Sequence, residues 1–105
     1  MKSYNINEED IKNSIKVNGE IGKQVICMEE MAELTQQISK CLRGKRNKEH
    51  LTEEFADVLI MLETLKTIHN LNDVEIQKWI DYKMTRQNSR DKDWVESQKE
   101  MKERF

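Results

Sequence analysis

No proline interrupts this chain, and its three glycines stand at Gly19, Gly22 and Gly44. Sheets and irregular loops depend on residues that set special backbone angles, whereas a chain with few such breaks lets helices run once they begin. Apolar residues recur at spacings of three and four, the period of a helical face. Asn7 followed by Glu8, Glu9 and Asp10 predicts a capped first helix over about 8–17, with Gly19 or Gly22 bending the chain after it. Ile21, Val25, Met28, Met31, Thr35, Ile38 and Leu42 predict the buried stripe of a helix from Glu20 to Leu42, which Gly44 closes in the left-handed region. A third helix is expected over about Lys48–His69, capped by Asn47 or Thr52. Its expected stripe is Leu51, Phe55, Val58, Leu59, Leu62, Leu65 and Ile68. Asn72 with Glu75 reads as the capping box of a fourth helix carrying Val74, Ile76, Trp79, Ile80 and Met84. The charged tail from Ser89 has a thin seam of Trp94, Gln98, Met101 and Phe105. Four or five helices with short connections give an all-α, four- to five-helix bundle.

A length of 105 residues argues for one helical domain with a modest core, to which self-association would add. Residues 91–105 are expected to form a charged helical tail. The 18 basic and 20 acidic residues leave a formal net charge of -2, which gives no electrostatic reason to expect nucleic acid. Cys27 and Cys41 form neither a disulfide framework nor a CxxC pair. No apolar leader or membrane-length run is visible, so the expected location is cytoplasmic, away from membranes.

Two short segments carry the chemistry. "EEMAEL" begins at Glu29 and "EEFADVL" at Glu53. Residues three apart on a helix are neighbours on one face, so Glu30 adjoins Glu33, and Glu54 adjoins Asp57. Ile26 and Leu34 flank Glu30, and Leu51 and Val58 flank Glu54, which puts these acids beside a packing stripe. Like charges near a core are costly unless something pairs with them, and a hard dication takes such oxygen ligands. Two readings stay open on spacing alone: solvated or salt-bridged acids, and a metal site. The Glu-x-x-His pairs of di-iron bundles are missing, because neither His50 nor His69 follows a lead acid by three.

The pattern Glu29-Glu30-x-x-Glu33, then Glu54-x-x-Asp57, resembles the MazG-like all-α nucleoside triphosphate pyrophosphohydrolases. "QVICMEEMAEL" is similar to that family's first catalytic helix and "LTEEFADVLIML" to its second. Lys83, Gln87 and Arg90 follow at spacings of four and three, with Gln where Asn is more usual in the family. The likeness covers roughly residues 20–90. It implies hydrolysis of a nucleoside triphosphate, dNTPs included, to monophosphate and pyrophosphate. Glu30, Glu33, Glu54 and Asp57 would hold Mg²⁺, with Mn²⁺ as a substitute, and Glu29 would be an outer acid or serve a further cation. The general base is not identified by the pattern. Lys83, Arg86, Gln87 and Arg90 become candidates for the triphosphate, and Gln24 for the nucleotide. The family associates as dimers or tetramers, so a homodimer or homotetramer is implied. The rival reading is a non-enzymatic helical interaction protein, or a module that binds nucleotide and Mg²⁺ without turnover.

Overall fold

A computed structural model describes residues 4–104, all of whose regular structure is helical. Four helices follow in order: α1 (Glu8–Asn18), α2 (Glu20–Leu42), α3 (Lys48–Ile68) and α4 (Asp73–Arg104). They divide into two compact units, the first ending at Asn70 and the second beginning at Leu71.

Local chemistry sets the helix ends of the first unit. The Asn7 side-chain carbonyl accepts from the Asp10 amide at 3.0 Å, satisfying one of the amides that a helix start leaves unpaired. Gly19, at φ 81°, ends α1 and starts α2 without a linker, and its N–H donates to the Ile15 carbonyl at 2.7 Å. Gly44 has φ 76° and donates to Cys41, while Lys45 reaches back to Lys40 at 2.8 Å. These two bonds form the Schellman closure that glycine in the left-handed region permits. Asn47 then caps α3 by accepting from His50 at 3.1 Å. Beyond α3, Asn70 takes φ 51°, an excursion that asparagine tolerates better than most side chains.

Within this unit α2 and α3 pack along each other, and α1 lies against both. The buried apolar residues are Ile11, Cys27 and Met61, one from each helix. Thr64 is also buried, and its hydroxyl donates to the Ile60 carbonyl at 2.9 Å. The expected stripe on α2 is not the face that packs: Ile21, Val25, Met28, Met31, Ile38 and Leu42 are exposed, Leu42 by 84%. Besides Gln24 and Ile26, the covered or partly covered positions are Lys23, Cys27, Glu30, Leu34, Gln37 and Cys41. These six also recur at four and three, so periodicity offers α2 two interleaved faces, and the second is the one that packs. On α3, Phe55 and Leu62 are likewise exposed, whereas Val58, Leu65 and Ile68 are partly covered.

The second unit is a single long helix. Asn72 starts it by accepting from the amides of Val74 at 2.8 Å and Glu75 at 3.2 Å. Its charged tail continues the same helix to Arg104, with Trp94 and Met101 exposed; Phe105, the last position of the expected seam, lies outside the described residues. No residue of α4 is buried, Trp79 and Met84 included, and Trp79 meets Tyr82 edge-on at 6.0 Å.

Candidate metal centre

The face that α2 turns toward α3 carries an acid in its middle. Glu30 lies one turn after buried Cys27, and Glu54 lies two turns before buried Met61 on α3. Helix packing thereby closes a gap that neither segment could close alone. Carboxylate oxygens of Glu30, Glu33 and Glu54 all lie within 4.8 Å of one another. Twice a metal–oxygen distance of about 2.1–2.5 Å is about 4–5 Å, so a single hard dication could touch all three. Asp57 stands beside Glu30, close enough for the two carboxyls to share a proton.

The electrostatics mark these acids as under-compensated. One oxygen of Glu30 and one of Glu54 (Oε2 in both) are buried with no hydrogen-bond partner. None of the four acids forms an ion pair among the described residues. Burial first, then the charges of Asp57, Glu33 and Glu54, push the Glu30 carboxyl from its ordinary 4.5 up to about 7. Glu54 is also raised, by burial and then by Glu33, with Asp57 and Glu53 adding to the field. Two ionised carboxylates have no hydrogen to donate to each other. Pairing Glu30 with Asp57, or Glu54 with Glu33, therefore requires either an added proton or a cation between them. An acidic cluster on a solvated surface would leave every oxygen to water; here two oxygens have lost water and gained nothing.

The remaining candidates are not members of the triad. Glu29 is exposed and lies outside the triad. Gln24 spends both ends of its amide inside the first unit. Its oxygen meets His69 Nε2 at 2.8 Å, tying α2 to the end of α3, and its nitrogen donates to the Glu20 carbonyl at 3.2 Å. Lys83, Arg86, Gln87 and Arg90 belong to α4 and are exposed. The Gln87 amide donates to Asp91 at 2.8 Å, and the Arg86 guanidinium stands 5.5 Å from the centre of the Tyr82 ring. Glu53, which contributes to the field on Glu54, is not singled out by the spacing argument; the signal for it is the doublet at the head of "EEFADVL".

No family model matches the chain, and no curated protein or solved structure matches it. The likeness to the MazG-like family thus stands on the residue pattern alone. No helix among the described residues is long and apolar enough to cross a membrane.

Proposed function

We propose that this protein binds a divalent cation between α2 and α3, with Glu30, Glu33 and Glu54 as ligands and Asp57 supporting Glu30. The observation that carries this reading is the pair of buried, unpartnered Oε2 atoms on Glu30 and Glu54, set within a convergent carboxylate triad. Oxygen-only donors favour Mg²⁺, with Mn²⁺ as a substitute, over the softer metals that seek thiolate or imidazole. Calorimetric titration of metal-free protein with Mg²⁺ and Mn²⁺ tests it. Saturable binding that is lost on Glu54→Gln supports the site, and absence of binding to the wild type removes it.

A module that holds a nucleoside triphosphate through the cation is the next step of the same proposal. When bound, a dication supplies positive charge to phosphate oxygens and makes a coordinated water easier to deprotonate. The narrower proposal is enzymatic and rests on the resemblance: cleavage of the α–β phosphoanhydride of a nucleoside triphosphate. In it the four acids hold the cation, and Lys83, Arg86 and Arg90 neutralise the outer phosphates, with Gln87 as a hydrogen-bond donor. Incubation with a panel of NTPs and dNTPs in Mg²⁺, resolving monophosphate and pyrophosphate, separates binding from turnover. We further propose self-association through the apolar row of α2 that includes Ile21, Val25 and Met28. Exposure of that row supports the reading, and sedimentation at several concentrations tests it.

A further inference from the structure

The row of α2 that periodicity singles out has no use inside the first unit. It runs through Ile21, Val25 and Met28, continues through Ala32, Thr35 and Ser39, and closes at Leu42. Spacings of four and three alternate along it for three heptads, and it holds no charged residue. All of its members are exposed. The row lies roughly opposite the face of Cys27 and Glu30, so the packing of α2 on α3 does not cover it. With exposed Met31 and Ile38 at its margin, it offers on the order of several hundred Å² of apolar surface, the extent that marks an interaction site.

The order of side chains along the row selects its occupant. Bulky residues fill its first half and small ones most of its second half. A parallel copy of α2 would stack bulky on bulky and small on small, so the two helices would splay at one end and leave voids. An antiparallel copy makes both ends alike and opposes the helix dipoles favourably. Aligning Ala32 with the partner's Thr35 sets Met28 on the partner's Ser39 and Val25 on the partner's Leu42. The small residues at the centre then allow close approach, and Met31 closes over them against the partner's Ile38. Glu29, at the other margin, faces the partner's Gln36, whose amide donates to a carboxylate. Sliding by one heptad would bring Glu29 against its own copy at the two-fold axis, and like charges oppose that register. Helix α4 suits the row less well: its most apolar stripe, through Ile80, Met84 and Trp94, is interrupted by Asp91. Burial against an apolar row would strand that charge.

We propose that two copies of this chain associate through antiparallel α2 helices, with Ala32 on the partner's Thr35 and Met28 on the partner's Ser39. The inference rests on the self-association proposed above and specifies its face, direction and register. Glu30 and Glu33 stay with α3 on the other side of α2, so the association is independent of divalent cations.

The test is sedimentation equilibrium of the full chain, in EDTA and in Mg²⁺. Met28→Glu should raise the dimer dissociation constant at least about 100-fold, since a symmetric interface loses two buried methionines. Met28 is exposed in the single chain, so M28E should keep the wild-type helix content. Adding Ser39→Lys to M28E should recover at least about tenfold of that affinity, because each new carboxylate then meets an ammonium on the partner. Positions 28 and 39 are about three turns apart on one helix, so the recovery cannot arise within a single copy. Adding Leu42→Lys to M28E instead should recover nothing. A wild-type dimer indifferent to M28E would overturn the proposal while leaving self-association to another surface. Absence of recovery by S39K, or equal recovery by L42K, would overturn the register and the proposal with it. A wild type that is monomeric at every concentration would overturn both readings.

Discussion

The acids of α4 and the acids between α2 and α3 have similar sequence spacing and opposite circumstances. On α4, Glu75 pairs with Lys78 at 3.6 Å and Glu96 with Lys99 at 3.9 Å, while Asp81 and Asp91 accept from Gln77 and Gln87. Each finds its partner three or four residues away on the same helix, in solvent. Glu30, Glu33, Glu54 and Asp57 have other acids at those offsets, and the packing of α2 on α3 adds still more acids across the interface. Spacing alone does not distinguish a solvated face from a site. What distinguishes them is whether the i+3 and i+4 neighbours, and the helix opposite, offer the opposite charge.

The strongest way to break this contrast is to neutralise one acid on each side and measure chemistry. If the narrower proposal holds, Glu30→Gln and Asp57→Asn should each lose at least about 10²-fold in turnover of a nucleoside triphosphate, because the cation carries most of the charge stabilisation there. Lys83→Ala and Arg90→Ala should cost less, roughly tenfold in kcat/KM, since each removes one charge-assisted contact and leaves the cation in place. Steady-state assays with product resolution read both sets. Fully active E30Q and D57N proteins would end the hydrolase reading, whereas variants that lose Mg²⁺ binding in a wild type that shows no turnover would leave only the binding module.

Next in size is stabilisation by the ion itself. A ligand that binds only the folded state at about 100 times its Kd adds about 2.7 kcal/mol. In a domain of this size that corresponds to a melting temperature higher by roughly 10 °C or more. Glu54→Gln should remove most of that gain and should not lower the metal-free melting temperature, because it relieves repulsion between Glu54 and Glu33. An ion-paired acid would behave in the reverse manner. Thermal melts in EDTA and in Mg²⁺ distinguish the two, and a metal-free E54Q protein less stable than wild type would contradict the absence of a partner.

The metal-free protein should also report the cluster through pH. Folding raises the Glu30 carboxyl from 4.5 to about 7, so the folded state holds a proton that the unfolded chain has released. The associated stability is fully present below about 4.5 and is lost as pH rises through about 7. Glu54, raised in the same direction, adds to the trend. Melting temperature in EDTA should therefore fall between pH 5 and pH 8. Mg²⁺ should oppose the fall, since the cation competes with the proton and binds more tightly as pH rises. A flat metal-free profile over that window, or one matched by E30Q, would mean that the acids are solvated after all.

Much of the architecture is written in local chemistry. Asn7, Gly19, Gly44, Asn47 and Asn72 mark helix ends by bonds made within a few residues, so they are readable from the string and recur in the structure. The choice of packing face is not local. On α2 one stripe runs through Val25 and Met28 and another through Lys23, Cys27 and Glu30, and hydrophobicity alone favours the first. Within the chain the second packs, against a face of α3 whose covered positions include Glu54, Met61 and Thr64. The same choice draws the carboxylates together, so the acidic pairs are legible one helix at a time, while their convergence is a property of the packed unit. Burial of the Lys23 stem is non-local in the same way: a lysine near the start of a helix reads as surface until its neighbours are known.

The smallest expected effect tests the other half of the comparison. Glu96 and Lys99 are exposed, and an exposed pair three residues apart on a helix contributes about 0.5 kcal/mol or less. Glu96→Gln should therefore lower the melting temperature by at most a few degrees, and by less still at high salt, where screening removes what little the pair contributes. Its sign is opposite to that of E54Q in EDTA, because E96Q deletes an attraction and E54Q deletes a repulsion. It should also leave the Mg²⁺-dependent gain untouched, since α4 lends no acid to the triad. Melts of both variants, with and without Mg²⁺, at low and high salt, form one experiment. An E96Q protein whose Mg²⁺ response changes as much as that of E54Q would show that acids of α4 share the cation, and the distinction between locally paired and convergent acids would have to be redrawn.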